Sequence, residues 1–216
     1  MKWLLAWLLS IALLGAKQSW AVEDWQQVKD RNDIHVFNRA IDGSPLKEFK
    51  GVTTMDASLA ECLKVIDDSE SFRYWFQYVS EIRELKTSPD HTKTLYVVHD
   101  LPWPVQDRDN ILFGSWKQDK KSLEVVISIT GLPDYLPKNE QYIRIPRASA
   151  SFVLTPISKY KTQVTYSANV DSGGEIPVWL ANAVAVDAPY YTLKKMRSRL
   201  LVVKGTNPHF DFIKEP

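Results

Sequence analysis

Polar and apolar residues alternate most regularly over 161–170, where Val164, Tyr166, Ala168 and Val170 are separated by Thr165, Ser167 and Asn169. A period of two sends successive side chains to opposite faces, so this segment predicts a strand with one buried and one wet side. Similar runs predict strands at IHVFNR (34–39), LKEFKGVTT (46–54), TLYVVHD (94–100), RDNILFGSWKQ (108–118), SLEVVISIT (122–130) and QYIRIPRASASFVLT (141–155). The first two are joined by an Asp42-Gly43-Ser44-Pro45 turn and read as a hairpin. Short connections at 118–121 and 157–160 favour an antiparallel meander.

Elsewhere the period lengthens to that of a helix. EDWQQVKDR (23–31) predicts a short first helix. Ser58 followed by Glu61 is a capping-box spacing, in which hydroxyl and carboxylate satisfy free amides of the first turn, and a helix should run from there to about Asp68. Phe72, Trp75, Phe76 and Val79 give a second helical piece an apolar face. The longest stripe is Ile176, Trp179, Ala183, Val186, Tyr190, Leu193, Met196, Leu200 and Val203, which predicts one long amphipathic helix lying against something apolar. Pro189 inside it removes an amide donor and crowds the preceding turn, so a kink or break is expected over 185–189. About seven antiparallel strands and one long helix give an α+β architecture, a sheet curled around its C-terminal helix.

The N-terminus changes the picture of where the chain acts. MKWLLAWLLSIALLGAKQSWA carries Lys2, an apolar run from Trp3 to Ala16, and small residues before Ala21. That is the pattern of a secretory signal peptide over residues 1–21, and its apolar run falls short of the roughly 20 residues of a spanning helix. In a bacterial chain the expected location is the periplasm. The remaining chain divides into one domain, 22–206, and a short tail, 207–216.

Without residues 1–21, 25 basic residues face 26 acidic ones, and the longest basic runs are pairs such as Lys120-Lys121. A balance of this kind argues against a nucleic-acid partner. Cys62 is the single cysteine, in an apolar pattern with Leu59, Leu63 and Ile66, and reads as a small buried hydrophobe. His35, His91, His99 and His209 are scattered, with no metal-ligand spacing, no GxSxG turn and no glycine-rich phosphate loop. The expectation is therefore no catalytic residue, no metal and no cofactor. The nearest approach to a catalytic set is His99 beside Asp100.

Three segments carry the candidate chemistry. GLPDYLPKNE (131–140) places Leu132, Tyr135 and Leu136 in a proline-rich loop, either a lid over an apolar neighbour or a loop filling a gap in the core. SGGEIPVWLAN (172–182) puts a flexible Gly173-Gly174 turn before Pro177, with Trp179 and Ala183 facing inward: a hinge, or an ordinary helix start. LPWPVQDRD (101–109) holds Trp103 between prolines and presents Arg108, which would contact a ligand head group or pair with a nearby carboxylate to pin a loop.

The order of elements, with Trp25, LKEFKG at 46–51, PWPVQDRD at 102–109 and GGEIPVWLAN at 173–182, resembles the START family, the lipid-transfer domains related to the steroidogenic acute regulatory protein. The resemblance spans about residues 23–203. It implies a helix-grip fold with a tunnel for one lipid or sterol between sheet and helix; the sparse catalytic groups point to a noncatalytic role, and transient membrane contact and a monomer are expected. It also implies that the loop at 131–140 and the long helix close the tunnel. By motif position Leu132, Leu136, Trp179 and Ala183 become gate candidates, joined by Tyr135, Val186 and Tyr190. The charged pair that some sterol-binding members keep in the cavity has no clear counterpart, because the strand after Arg108-Asp109 continues Asn110-Ile111-Leu112-Phe113-Gly114. An enzyme of related helix-grip type and an interaction module with a filled core remain as the other two readings.

Overall fold

The computed structural model describes residues 25–41 and 44–216. The proposed leader and the Asp42-Gly43 turn lie outside the described residues. Ten strands form one sheet: β1 (Gln26–Arg31), β2 (Ile34–Ile41), β3 (Ser44–Met55), β4 (Val79–Ser88), β5 (Thr92–His99), β6 (Arg108–Gln118), β7 (Val125–Gly131), β8 (Ile143–Arg144), β9 (Arg147–Ser158) and β10 (Lys161–Asp171). The order across the sheet is β1-β2-β3-β10-β9-β7-β6-β5-β4, and β8 adds to β6 in parallel while every other pair is antiparallel. Three helices complete the described fold: α1 (Leu59–Asp67), α2 (Phe72–Trp75) and α3 (Val178–Val203). This is the expected α+β helix-grip architecture, with more strands than the seven predicted.

Several elements differ from expectation, each for a local reason. The segment expected to be a first helix is strand β1. Asn32 and Asp33 both adopt left-handed φ of 56°, the two-residue turn that closes a hairpin onto β2. β4 was not predicted at all. It is the other edge of the sheet, and its SEIRELKTS sequence is almost wholly solvent-facing, so no apolar alternation marks it. The second helical piece shrinks to a 3-10 turn at Ser69–Ser71 and the four residues of α2, because Phe76 is already extended and Tyr78 takes a φ of 63°. The expected strand 141–155 is divided at Pro146 into β8 and β9.

The capping box of α1 is present as predicted, with Ser58 Oγ accepting from the Glu61 amide and Glu61 Oε2 accepting from the Ser58 amide. The tail docks on the same helix end: Glu215 accepts from the Leu59 and Ala60 amides, and Phe210, Phe212 and Ile213 pack against the core. Cys62 is fully buried, and burial pushes its thiol up to about 12, consistent with a small hydrophobe rather than a reactive group.

α3 is continuous through Pro189, so the helix does not break there. Pro189 is buried against the sheet at Gly51, where a Cβ would stand 2.8 Å from Leu193 Cδ1 and 3.1 Å from Pro189 Cβ. A glycine on β3 therefore lets the C-terminal half of α3 lie directly on β2 and β3. There Tyr190, Leu193, Met196 and Leu200 join Ile34, Val36 and Val164 in the main core.

Candidate functional site

Beyond β2 and β3, the sheet curves away from α3 and a cavity of about 220 Å³ lies between them. Its walls follow from strand alternation. Lys93, Leu95, Val97 and His99 of β5 and Arg108, Asn110, Leu112, Gly114 and Trp116 of β6 all face inward, every second residue. From Arg108 to Trp116 is eight residues, up to about 26 Å of strand. The space exists because the facing side chains are small. β9 and β10 present Ala148, Ala150 and Ala168, and α3 presents Ala181, Ala185 and Ala188 beside Leu180 and Val184. The middle is apolar, closed by Phe72, Phe76, Ile127, Ile129 and Tyr166.

Each end of the cavity carries polar groups. At one, Lys93 Nζ lies 2.7 Å from Asp67 Oδ1, beside Ser69 and the indole of Trp116. At the other stand His99, Arg108, Asn110 and Ser172. Burial pushes the His99 imidazole down to about 4, so it is neutral near neutral pH, and burial likewise lowers Arg108 from its ordinary value. Arg108 donates to the carbonyls of Gln106 and Gly173, and among the described residues no carboxylate lies within ion-pair distance of it.

The loop-pinning role considered for Arg108 belongs instead to Arg144. Its guanidinium grips Asp109 through two hydrogen bonds of 2.8 and 2.9 Å and also donates to the carbonyls of Pro133, Leu136 and Pro137. Tyr96 Oη donates to the same carboxylate at 3.1 Å. Tyr96, Asp109 and Ile111 alternate with the cavity residues, so this cluster occupies the opposite face of the sheet.

That placement decides where the sequence-derived gate candidates sit. Leu132 and Leu136 pack on Tyr96, Val98 and Ile111, behind the sheet rather than over the cavity, and Tyr135 is half exposed beside them. Trp179 and Ala183 face solvent, because Leu180, Val184 and Ala188, spaced by four, take the inner face of α3. Val186 is half-buried outside the cavity wall. Tyr190 is core, accepting a 2.7 Å hydrogen bond from Asn32 Nδ2 under the Lys29 ammonium. Of the nine residues singled out, only Arg108 lines the cavity, while Trp103 is 89 % exposed. Sequence reasoning missed Asn110, His99 as a wall residue, and Asp109 with Arg144. Asn110 and His99 were accessible through the strand period counted from Arg108; the Arg144–Asp109 pair spans 35 positions and had no local signal.

A sequence model of the START domain matches residues 15–201. The chain belongs to the START domain family. An uncharacterized protein of Pseudomonas aeruginosa is 32 % identical over 190 residues, covering 88 % of this chain and 93 % of that one. The phosphatidylcholine transfer protein of Mus musculus is 25 % identical over 177 residues, covering 80 % and 82 % of the two chains. Among solved structures, a STAR-related lipid transfer protein fragment from Xanthomonas axonopodis superposes with a TM-score of 0.76 at 35 % identity, over 82 % of this chain and 98 % of that one. The mouse relative and the Xanthomonas structure are named as lipid transfer proteins, and this START domain has a curved sheet, a long C-terminal helix and a cavity between them.

Proposed function

We propose that this START domain is a noncatalytic carrier of one lipid or sterol-like molecule, held between the sheet and α3. The observation that carries the reading is the alanine-walled apolar cavity, an interior left open in a fold whose interiors otherwise close-pack. Affinity would come from burying hydrocarbon, at about 0.8 kcal/mol per methylene. The lipid-transfer names of the mouse and Xanthomonas relatives support the same reading.

Loading takes place at a membrane surface. Trp103 (89 % exposed), Val178 (65 %), Trp179 (63 %) and Tyr135 (49 %) lie on three segments that converge at the Arg108 end of the cavity. Gln106 Nε2 donates to Gln141 O, Arg108 to Gly173 O, and Arg144 to the loop carbonyls, which ties these segments together. Leu101, Ile176 and Leu180 line the cavity, so the segments of Trp103, Val178 and Trp179 adjoin its end, while the loop of Tyr135 packs on the other face of the sheet. Large exposed apolar groups on segments that adjoin the cavity end suit a transient interfacial contact. With the leader-like residues 1–21, the carrier would be exported and work as a monomer in a periplasm.

The test is extraction of lipid from vesicles, followed by native mass spectrometry of the protein. One lipid per chain is expected, and Trp179→Asp should slow uptake about tenfold or more by placing a charge in the interface, without changing the fold. A chain that neither copurifies with nor extracts any apolar molecule would overturn the carrier reading. The alternative, an enzyme acting on a hydrophobic substrate in the same cavity, draws on His99 in the wall. Chemical change of the bound molecule during incubation would favour it.

A further inference from the structure

Four buried polar atoms of cavity-wall residues have no hydrogen-bond partner within the protein: His99 Nε2, Arg108 Nε, Asn110 Oδ1 and Trp116 Nε1. Three of them gather in one place. His99 is the cross-strand partner of Arg108, and Asn110 follows Arg108 on the same face of β6. Arg108 and Asn110 are 1 % and 2 % exposed. A buried donor or acceptor left unmet costs about 1–3 kcal/mol, and a charged one more. Three such atoms side by side in a cavity wall therefore ask for a common partner.

Their chemistry specifies it. Arg108 brings a fixed positive charge whose Nη atoms are held by the Gln106 and Gly173 carbonyls, leaving Nε–H to donate. Asp107, its neighbour in sequence, is the acid that acts on it through space. The His99 ring hydrogen-bonds the Tyr78 backbone, which fixes the proton on that side and leaves Nε2 as an acceptor. Asn110 offers an amide oxygen to a donor. The adjoining wall positions Val97, Leu101 and Ile145 are aliphatic, and Tyr78 is the aromatic residue that lines the cavity beside His99, so selection between head groups falls to the hydroxyl that His99 and Asn110 can accept from.

We propose that His99, Arg108 and Asn110 form a head-group reader that selects amphiphiles whose polar end carries an anionic oxygen next to a hydroxyl. The anionic oxygen accepts from Arg108 Nε–H, the hydroxyl donates to His99 or Asn110, and the hydrocarbon lies along the alanine-walled remainder. A phosphodiester with a glycerol head and a β-hydroxy carboxylate share this chemistry. This inference rests on the carrier reading and goes beyond it in naming the ligand class.

The experiment offers the purified protein mixed vesicles of dioleoyl phosphatidylglycerol, dioleoyl phosphatidylcholine, dioleoylglycerol and a β-hydroxy fatty acid, and quantifies bound lipid by mass spectrometry. Phosphatidylglycerol, the hydroxy acid, or both should be enriched about tenfold or more over dioleoylglycerol and phosphatidylcholine, and which one is enriched identifies the anion as phosphate or carboxylate. Asn110→Leu, close to isosteric, and Arg108→Gln should each bring that ratio towards one. Ratios are read only from variants with the wild-type circular dichroism spectrum, and Asn110→Leu keeps the test open if Arg108→Gln does not fold. A wild-type ratio near one, or one that Asn110→Leu leaves unchanged, overturns the proposal and assigns the three atoms to bound water. If no lipid of any class is taken up, the carrier reading itself falls, and this inference falls with it.

Discussion

Arg144 and Asp109 are both withdrawn from water, their side chains 3 % and 0 % exposed. Such a pair gains little over an apolar replacement, since desolvation offsets most of its attraction, but breaking it leaves one buried charge uncompensated. Here the guanidinium also collects the carbonyls of Pro133, Leu136 and Pro137, so its loss strips the loop of three acceptor contacts at once. Arg144→Met is expected to destabilise the domain by about 3–5 kcal/mol in urea unfolding. Adding Asp109→Leu to that variant should recover part of the loss, because the stranded carboxylate is then gone. If the double variant is as unstable as the single one, the cost lies in the freed loop and not in the buried charge.

At the scale of elements, α3 passes close over Gly51 on β3. Gly51→Ala places a methyl 2.8 Å from Leu193 Cδ1 and 3.1 Å from Pro189 Cβ. The helix cannot yield easily there, since Leu193 and Met196 sit in the main core, so a loss of about 1–3 kcal/mol is expected from overpacking, read as a lower Tm. An unchanged Tm would mean that α3 shifts freely on β3. The C-terminal half of this helix was legible in sequence: Tyr190, Leu193, Met196, Leu200 and Val203 all face the core as their spacing predicted. The N-terminal half was misread because Trp179 drew the apolar stripe one residue out of phase, while the side chains that face inward are the inconspicuous Ala181, Ala185 and Ala188 beside Leu180. β1 and β4 were obscured differently. Both are edge strands with wet faces, and polarity of that kind erases the alternation by which β10 announced itself. Long-range groups fared worst: Leu132 and Leu136 looked like a lid because they are apolar on a loop, and only Arg144, reaching across the sheet's outer face, shows what they pack on.

For the molecule as a whole, the question is what keeps its interior open. Large facing residues would fill the space between sheet and helix, and three alanines on each side leave it unfilled. The opening is therefore written in residue size, which neither hydropathy nor period reports. It also makes stability and binding compete for the same space. Ala150→Leu and Ala188→Leu each put three more carbons into the cavity from a wall that is half-buried and already packed against the core at its base. Each buried methylene contributes about 0.8 kcal/mol, so a gain of up to about 2 kcal/mol is expected where the new side chain finds an unstrained rotamer. Lipid uptake should fall in the same variants, most steeply for the bulkiest ligands, because the volume they need has been taken. Calorimetry with vesicle extraction on the same preparations measures both quantities. Variants that become more stable yet extract lipid as the parent does would place the ligand outside this cavity, and would remove the physical basis for reading the alanine walls as a binding site.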